Sequence, residues 1–253
     1  LQKFEGLLID HPEDNWLNLF GQMHEGAQST MLGLKGMPRI AEEVAISKNL
    51  ELLTYAGGRL HFSKLSTAKS IDLVRAAKKK GFQVTCDVAA YQPLYNDSVL
   101  VDFDTNYKVN PPLRERADQD ALLKGLKDGT IDVLVSNHSP QDDESKFLEF
   151  DQAEFGLINF QTFASQITAL AEEVDLADLI EKITDAPRRL LKLQPVIIDV
   201  DNRANLTLFD PNSEWIFSPD INFSKSKNSP WLAQKIKGRA VAVFNNTKQS
   251  IDV

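Results

Sequence analysis

Apolar and polar positions along this chain follow two alternating periods. Residues 4–10 (FEGLLID), 59–66 (RLHFSKLS), 82–91 (FQVTCDVAAY) and 131–136 (IDVLVS) are short apolar runs bounded by polar turns, the pattern of buried strands. Between them, residues 38–57, 69–81 and 117–129 carry apolar side chains at helical spacing. The first of these opens near Pro38 and ends at Gly57-Gly58. The second stops at Gly81 and the third at Gly129, as helices do. Strand then helix, repeated with short turns, predicts a parallel sheet with its functional loops at the C-terminal strand ends. Two helices are expected over 159–173 and 175–184, with further helical turns over 185–193. From about residue 196 the pattern changes to short strands, over 196–200, 204–210, 214–217 and 239–245. The expected division is an α/β unit over 1–195 and a small β unit over 196–253.

Composition narrows the classes. No apolar run approaches the ~20 residues of a membrane span, so no membrane partner is expected. The net charge of -8, with acids and bases interspersed, argues against nucleic acid. The basic run 75–80 (RAAKKK) reads as a helix end, where lysine favours the negative pole. The lone Cys86 excludes an internal disulfide framework and a cysteine-based zinc cluster. Nothing at the start reads as a secretory signal, and a soluble cytoplasmic protein is the expectation. The chain begins at Leu1 inside a strand-like run, compatible with a trimmed chain, a processed product or a fragment.

Four histidines are present: His11, His24, His61 and His138. Three of them lie in or at the end of expected parallel strands, where imidazoles can converge on a metal, although core or loop histidines satisfy the same pattern. The stretch 108–116 (KVNPPLRER) sets a rigid Pro pair beside Asn110, a donor and acceptor, and Arg114, a carboxylate-matching fork. A rigid loop with a surface arginine is the plainer reading. Asp10, Glu13 and Asp14 are candidate bases or caps, and Ser66-Thr67 reads as a helix N-cap. No serine-hydrolase spacing, phosphate-binding loop or dinucleotide fingerprint is present.

The ordered motifs 11-HPED, 23-MHEGAQSTMLGLKGMPRIAEE, 59-RLHFSKLSTAKSIDLVRAAKKKG, 84-VTCDV, 108-KVNPPLR, 128-DGTIDVLVSNHSP and 204-ANLTLFDPNSEW together resemble the dihydroorotase branch of the cyclic amidohydrolases. The resemblance spans essentially the whole chain. It implies an α/β (β/α)8 barrel of the amidohydrolase type, of which only the C-terminal half is present here, plus part of a small β-sandwich. It also implies zinc and the interconversion of carbamoyl-aspartate and dihydroorotate in pyrimidine synthesis. In such enzymes metal-bound hydroxide attacks a ring amide.

Position by position, the resemblance implies a degenerate site. His11 matches one histidine ligand of the metal. Lys64, in 61-HFSKLST, stands at a second ligand position where the pattern has histidine. Asn137, in 137-NHSPQ, replaces the aspartate that binds metal and shuttles the proton, and Gln141 replaces a substrate-contacting histidine. Asn110 survives as a substrate-binding position. The strand with the His-x-His ligands and the strand with a carboxylated lysine precede residue 1 in the family order. Zinc is therefore expected to be absent or weakly bound, with the Lys64 ammonium partly taking the metal's electrostatic place through a bond to Asn137, Asp10 or another polar group.

Three functions follow as expectations. The first is a non-catalytic dihydroorotase-like protein that scaffolds aspartate transcarbamoylase. The second is an active zinc-dependent dihydroorotase or related cyclic amidohydrolase. The third is a sensor that holds a small carboxylate or cyclic ureide through Asn110 and Arg114. Four strands leave an open sheet edge, so the expected partner is a second copy of the chain or a missing N-terminal half.

Overall fold

In a computed structural model that describes residues 6–251, the chain runs β1 (Leu7–Asp10), β2 (Met23–His24), α1 (Ala27–Leu32), β3 (Gly36–Met37), α2 (Arg39–Ala56), β4 (Arg59–Phe62), α3 (Ala68–Lys79), β5 (Val84–Ala89), α4 (Arg116–Lys127), β6 (Val133–Val135), α5 (Asp143–Lys146), α6 (Phe163–Leu170), α7 (Leu176–Ile183), α8 (Asp185–Leu190), β7 (Asn205–Ile216), β8 (Lys235–Asn245) and β9 (Lys248–Ile251). The start of the first expected strand, at residues 4–5, lies outside the described residues. The four expected parallel strands form one sheet in the order β1-β4-β5-β6, all parallel. Their residues explain the burial. Leu60 and Phe62 of β4 and Val84, Cys86 and Val88 of β5 are buried, so the central strands are covered.

Helices α2, α3, α4, α6 and α7 cover this sheet. Ile71, Val74 and Ala77 of α3 repeat every three residues and meet Leu122 and Leu126 of α4 in one core with the strands. Thr67 caps α3 by accepting from the Ser70 backbone N–H, as the sequence suggested. The edge strand β1 pairs with β4 alone among the described residues, and its Leu8 and Ile9 are exposed. Ile40, Val44, Leu52 and Tyr55 of α2 are exposed beside it. Among the described residues, four parallel strands with two unpaired edges are the geometry of half an eight-stranded barrel.

The second sheet is antiparallel, in the order β7-β8-β9. It sits on α6, where Trp215 Nε1 donates to Ser165 Oγ (3.2 Å) and to Gly238 O (3.1 Å). Here the expected boundaries need correction. Residues 196–200 form no strand, because Ile197, Ile198 and Val200 find no core and stay exposed. The two expected strands over 204–217 are one, β7, in which a register shift between Asp210 and Glu214 absorbs Pro211. The helix expected from residue 159 starts at Phe163, because the Asn159 amide is committed to Ser136 O (2.6 Å). No helix among the described residues is long and apolar enough to cross a membrane.

Candidate functional site

The C-terminal ends of β1, β4, β5 and β6 bring His11, Lys64, Tyr91 and Asn137 to one side of the sheet. His11 follows β1 directly. Its Nδ1 faces Ser63 O at 3.2 Å, which places the proton on Nδ1 and leaves Nε2 as the free ring nitrogen. That Nε2 is buried without a hydrogen bond, 3.6 Å from Glu13 Oε2. Glu13 also accepts from Asn18 Nδ2 (2.8 Å) and Asn110 Nδ2 (3.2 Å), so Asn110 joins the site through it.

Lys64 is half-buried just past the end of β4, with φ +62. Its backbone N–H donates to Asp87 Oδ1 (2.6 Å), while Asp87 Oδ2 pairs with His61 Nε2 (2.9 Å). His61 is thereby a satisfied core histidine, with Thr85 Oγ1 on its other nitrogen at 2.8 Å. Among the described residues the Lys64 ammonium makes no hydrogen bond or ion pair. The expected bond to Asn137 or Asp10 is not formed, and both side chains point their engaged atoms at other residues. Asp10 Oδ2 takes Asn49 Nδ2 at 2.6 Å, and Asn137 turns to other partners. Burial lowers the Lys64 pKa from its ordinary value, and the nearby Asp87 and Glu13 carboxylates oppose that shift.

Asn137 sits beyond β6 with φ +47. Its Nδ2 donates to the Tyr91 hydroxyl (2.6 Å) and to Asn110 O (3.2 Å). Tyr91 is fully buried, and burial pushes its hydroxyl well above the usual range. Sequence reasoning missed Tyr91 as a site residue, because it reads as the last apolar position of a strand. His138 is held by its Nδ1, which accepts from the backbone N–H of Asn159 (2.9 Å) and Phe160 (3.2 Å), and its ring stacks on Phe160. Gln141 spends its side-chain N–H on Phe155 O (2.9 Å), and its backbone N–H on Asn228 Oδ1 (3.2 Å). Gly156 beside it has φ +135, and a Cβ there would lie 2.7 Å from Ser139 O, so only glycine fits.

Arg114 requires the clearest correction. It is neither a surface residue nor an open carboxylate fork, but is 3% exposed beneath the mouth. Its Nε donates to Ser66 Oγ (2.9 Å), and its Nη1 to Met37 O (2.8 Å) and His24 Nδ1 (3.2 Å). Glu42 lies 3.8 Å from Nη2 and accepts from the backbone N–H groups of Ser66 and Thr67. This buried knot ties β3, the α2 helix and the start of α3 together.

Beside it, ligand atoms of His24, Asp97 and Glu115 lie within 4.8 Å of one another. A metal does not fit there. Arg114 always donates, so His24 Nδ1 accepts and Nε2 must carry the proton, leaving no lone pair for an ion. Burial lowers His24 to about 4 and raises Asp97 to about 6. An acid raised from 3.8 to about 6 makes the folded state weaker as pH climbs through that window, and the penalty is complete above it. Asp97→Asn is therefore expected to stabilise the protein by about 3 kcal/mol at pH 7.5 and by much less near pH 4. Urea unfolding of both proteins at the two pH values checks this. The opposite contribution of His24, lost as pH falls from 6.5 toward 4, is common to both proteins.

The part of the implied zinc site that falls in this chain is not a complete ligand set. His11 alone has the right tautomer and a free nitrogen. An ammonium and a neutral carboxamide stand at the other two positions of the implied set that fall in this chain: Lys64 must lose its proton to ligate a metal, and the Asn137 amide oxygen is a far weaker ligand than a carboxylate.

Known proteins give this geometry a context. The chain is 38% identical over 260 residues to the dihydroorotase of Chlorobaculum tepidum, covering 97% of this chain and 59% of that protein. It is 41% identical over 236 residues to the dihydroorotase of Carboxydothermus hydrogenoformans, covering 92% and 55%. The chain thus spans somewhat more than half the length of the curated relatives it matches. Among solved structures, an L-hydantoinase (dihydropyrimidinase) from Arthrobacter aurescens superposes with a TM-score of 0.84 at 20% identity, covering 97% of this chain and 57% of that one. A domain of the Chaetomium thermophilum CAD-like multifunctional protein, described as an inactive dihydroorotase-like domain, gives 0.60 at 20% identity, covering 81% and 55%. These two likenesses establish the fold. No family model matches the chain.

Proposed function

The chain belongs to the dihydroorotase family of cyclic amidohydrolases, and on that premise we propose that it is a member whose hydrolytic chemistry has been lost. One observation carries this reading: the Asn137 carboxamide, at the proton-shuttle position, is spent on the Tyr91 hydroxyl and Asn110 O. An amide has no pKa near neutrality and cannot move a proton between water and a ring amide. Lys64 strengthens the argument, since an ammonium repels a dication and must lose its proton to ligate one. The same fold supports an inactive domain in the Chaetomium protein.

In this reading the protein serves pyrimidine synthesis by binding, as a scaffold for aspartate transcarbamoylase. The open edge at β1, with Leu8 and Ile9 exposed, is closed by a second copy or by an N-terminal half-barrel. The intact His11 tautomer favours a second reading, a weakly zinc-dependent cyclic amidohydrolase. One assay separates the two. Purified full-length protein supplied with zinc is expected to show no dihydroorotate hydrolysis above background and only trace bound zinc. Turnover with stoichiometric zinc establishes the second reading instead. The native mass of the same sample reports whether the chain pairs with itself, and co-purification with the transcarbamoylase tests the scaffold role.

A further inference from the structure

Two lysines lie inside the loops that frame the mouth. Lys108 and Lys146 are 2% and 4% exposed, and among the described residues neither pairs with a carboxylate. Lys146 Nζ donates to three backbone carbonyls, Thr105 O (2.6 Å), Glu154 O (2.8 Å) and Gly156 O (3.1 Å). Lys108 Nζ donates to Gln22 Oε1, Phe150 O (2.6 Å) and Asp151 O (3.2 Å). It also lies 5.3 Å from the Phe150 ring centre and 4.8 Å from that of Phe155. Three acceptors take the place of water around each cation, and Lys108 has an aromatic wall as well. Burial lowers both to about 8, so the charges persist at pH 7.

The acceptors come from separate loops, and they converge where the site residues are anchored. Asn110 follows Lys108 by two residues, and Lys108 O accepts from the Gly156 backbone N–H (2.8 Å). Gln141 is fastened to Phe155 O, one residue from the carbonyl that Lys146 holds. We propose that Lys108 and Lys146 are positioning residues: their ammoniums act as internal cations that lock the 142–157 loop to the 104–110 loop and so set where Asn110 and Gln141 stand. This goes beyond the functional reading above, because it holds with or without turnover.

Hydrogen exchange on the full chain tests it, with each protection factor corrected for the intrinsic rate. Lys146→Ala and Lys108→Ala are expected to lower protection at 105–110 and 142–157 at least tenfold while leaving β4 and β5 unchanged. Methylammonium chloride is expected to restore the Lys146→Ala loops, and equal sodium chloride is not. Unchanged protection, loosening spread evenly into β4 and β5, or equal rescue by both salts overturns the proposal. If the variants fail to fold, the unsubstituted protein decides. Its two loops must open together with one exchange free energy across sub-denaturing urea, and separate opening overturns the proposal.

Discussion

Arg114→Leu is expected to destabilise the protein by about 3–5 kcal/mol, the largest single-residue effect anticipated here. The guanidinium is 3% exposed and faces the Glu42 carboxylate, itself 4% exposed. Leucine leaves that carboxylate buried without a nearby cation. It also strips the donors from Met37 O, Ser66 Oγ and His24 Nδ1. Glu42 in turn holds the turn from β4 into α3 through the Ser66 and Thr67 backbone N–H groups, so the loss spreads to the strand end that carries Lys64. Urea unfolding measures the change. Glu42→Gln in the Arg114→Leu background is expected to recover part of it, because a neutral amide costs far less to bury than an unpaired charge. A cost below about 1 kcal/mol for Arg114→Leu contradicts the buried knot as described.

The double substitution Lys64→His with Asn137→Asp is expected to raise zinc affinity in the full-length protein by well over the 10–100-fold that loss of an outer partner typically costs. Each change supplies a ligand of the right chemistry, and Lys64→His also removes a positive charge from the place a dication would occupy. His11 already offers a free Nε2, fixed by Ser63 O. Competition titration against a zinc-binding dye reads the affinity, and mass spectrometry of the metal reads the stoichiometry. Each single change is expected to give much less, because ligands that share one ion are not additive. Tight zinc binding by the unsubstituted protein removes the basis for reading the site as emptied of its chemistry.

The parallel sheet and its helices were legible because their apolar spacing is strong over long segments. β1, β4, β5 and β6 fall inside the expected runs, and Gly57, Gly81 and Gly129 lie just past the helices that end there. The two-residue strands β2 and β3 were not legible, since so short a pairing leaves no period to read. Residues 196–200 misled for the opposite reason: the run is apolar, yet nothing in the described structure covers it. The identities of Lys64 and Asn137 could be read from motif position, but their partners could not. Asn137 meets Tyr91 and Asn110 from loops 46 and 27 residues away, and such contacts leave no local trace. The burial of Arg114 was not legible because arginine is usually exposed, and the Glu42 carboxylate and the acceptors on Met37, Ser66 and His24 that make it tolerable lie far off in sequence.

Asn228 links the two halves of the molecule in a way that constrains their separate fates. Its side chain reaches from the segment between β7 and β8 to Ser139 O (3.0 Å), Gly156 O (3.1 Å) and the Gln141 backbone N–H (3.2 Å). The segment between β7 and β8 therefore works as a brace for the rim of the half-barrel. Loss of that segment would unfasten the rim at Ser139, Gln141 and Gly156.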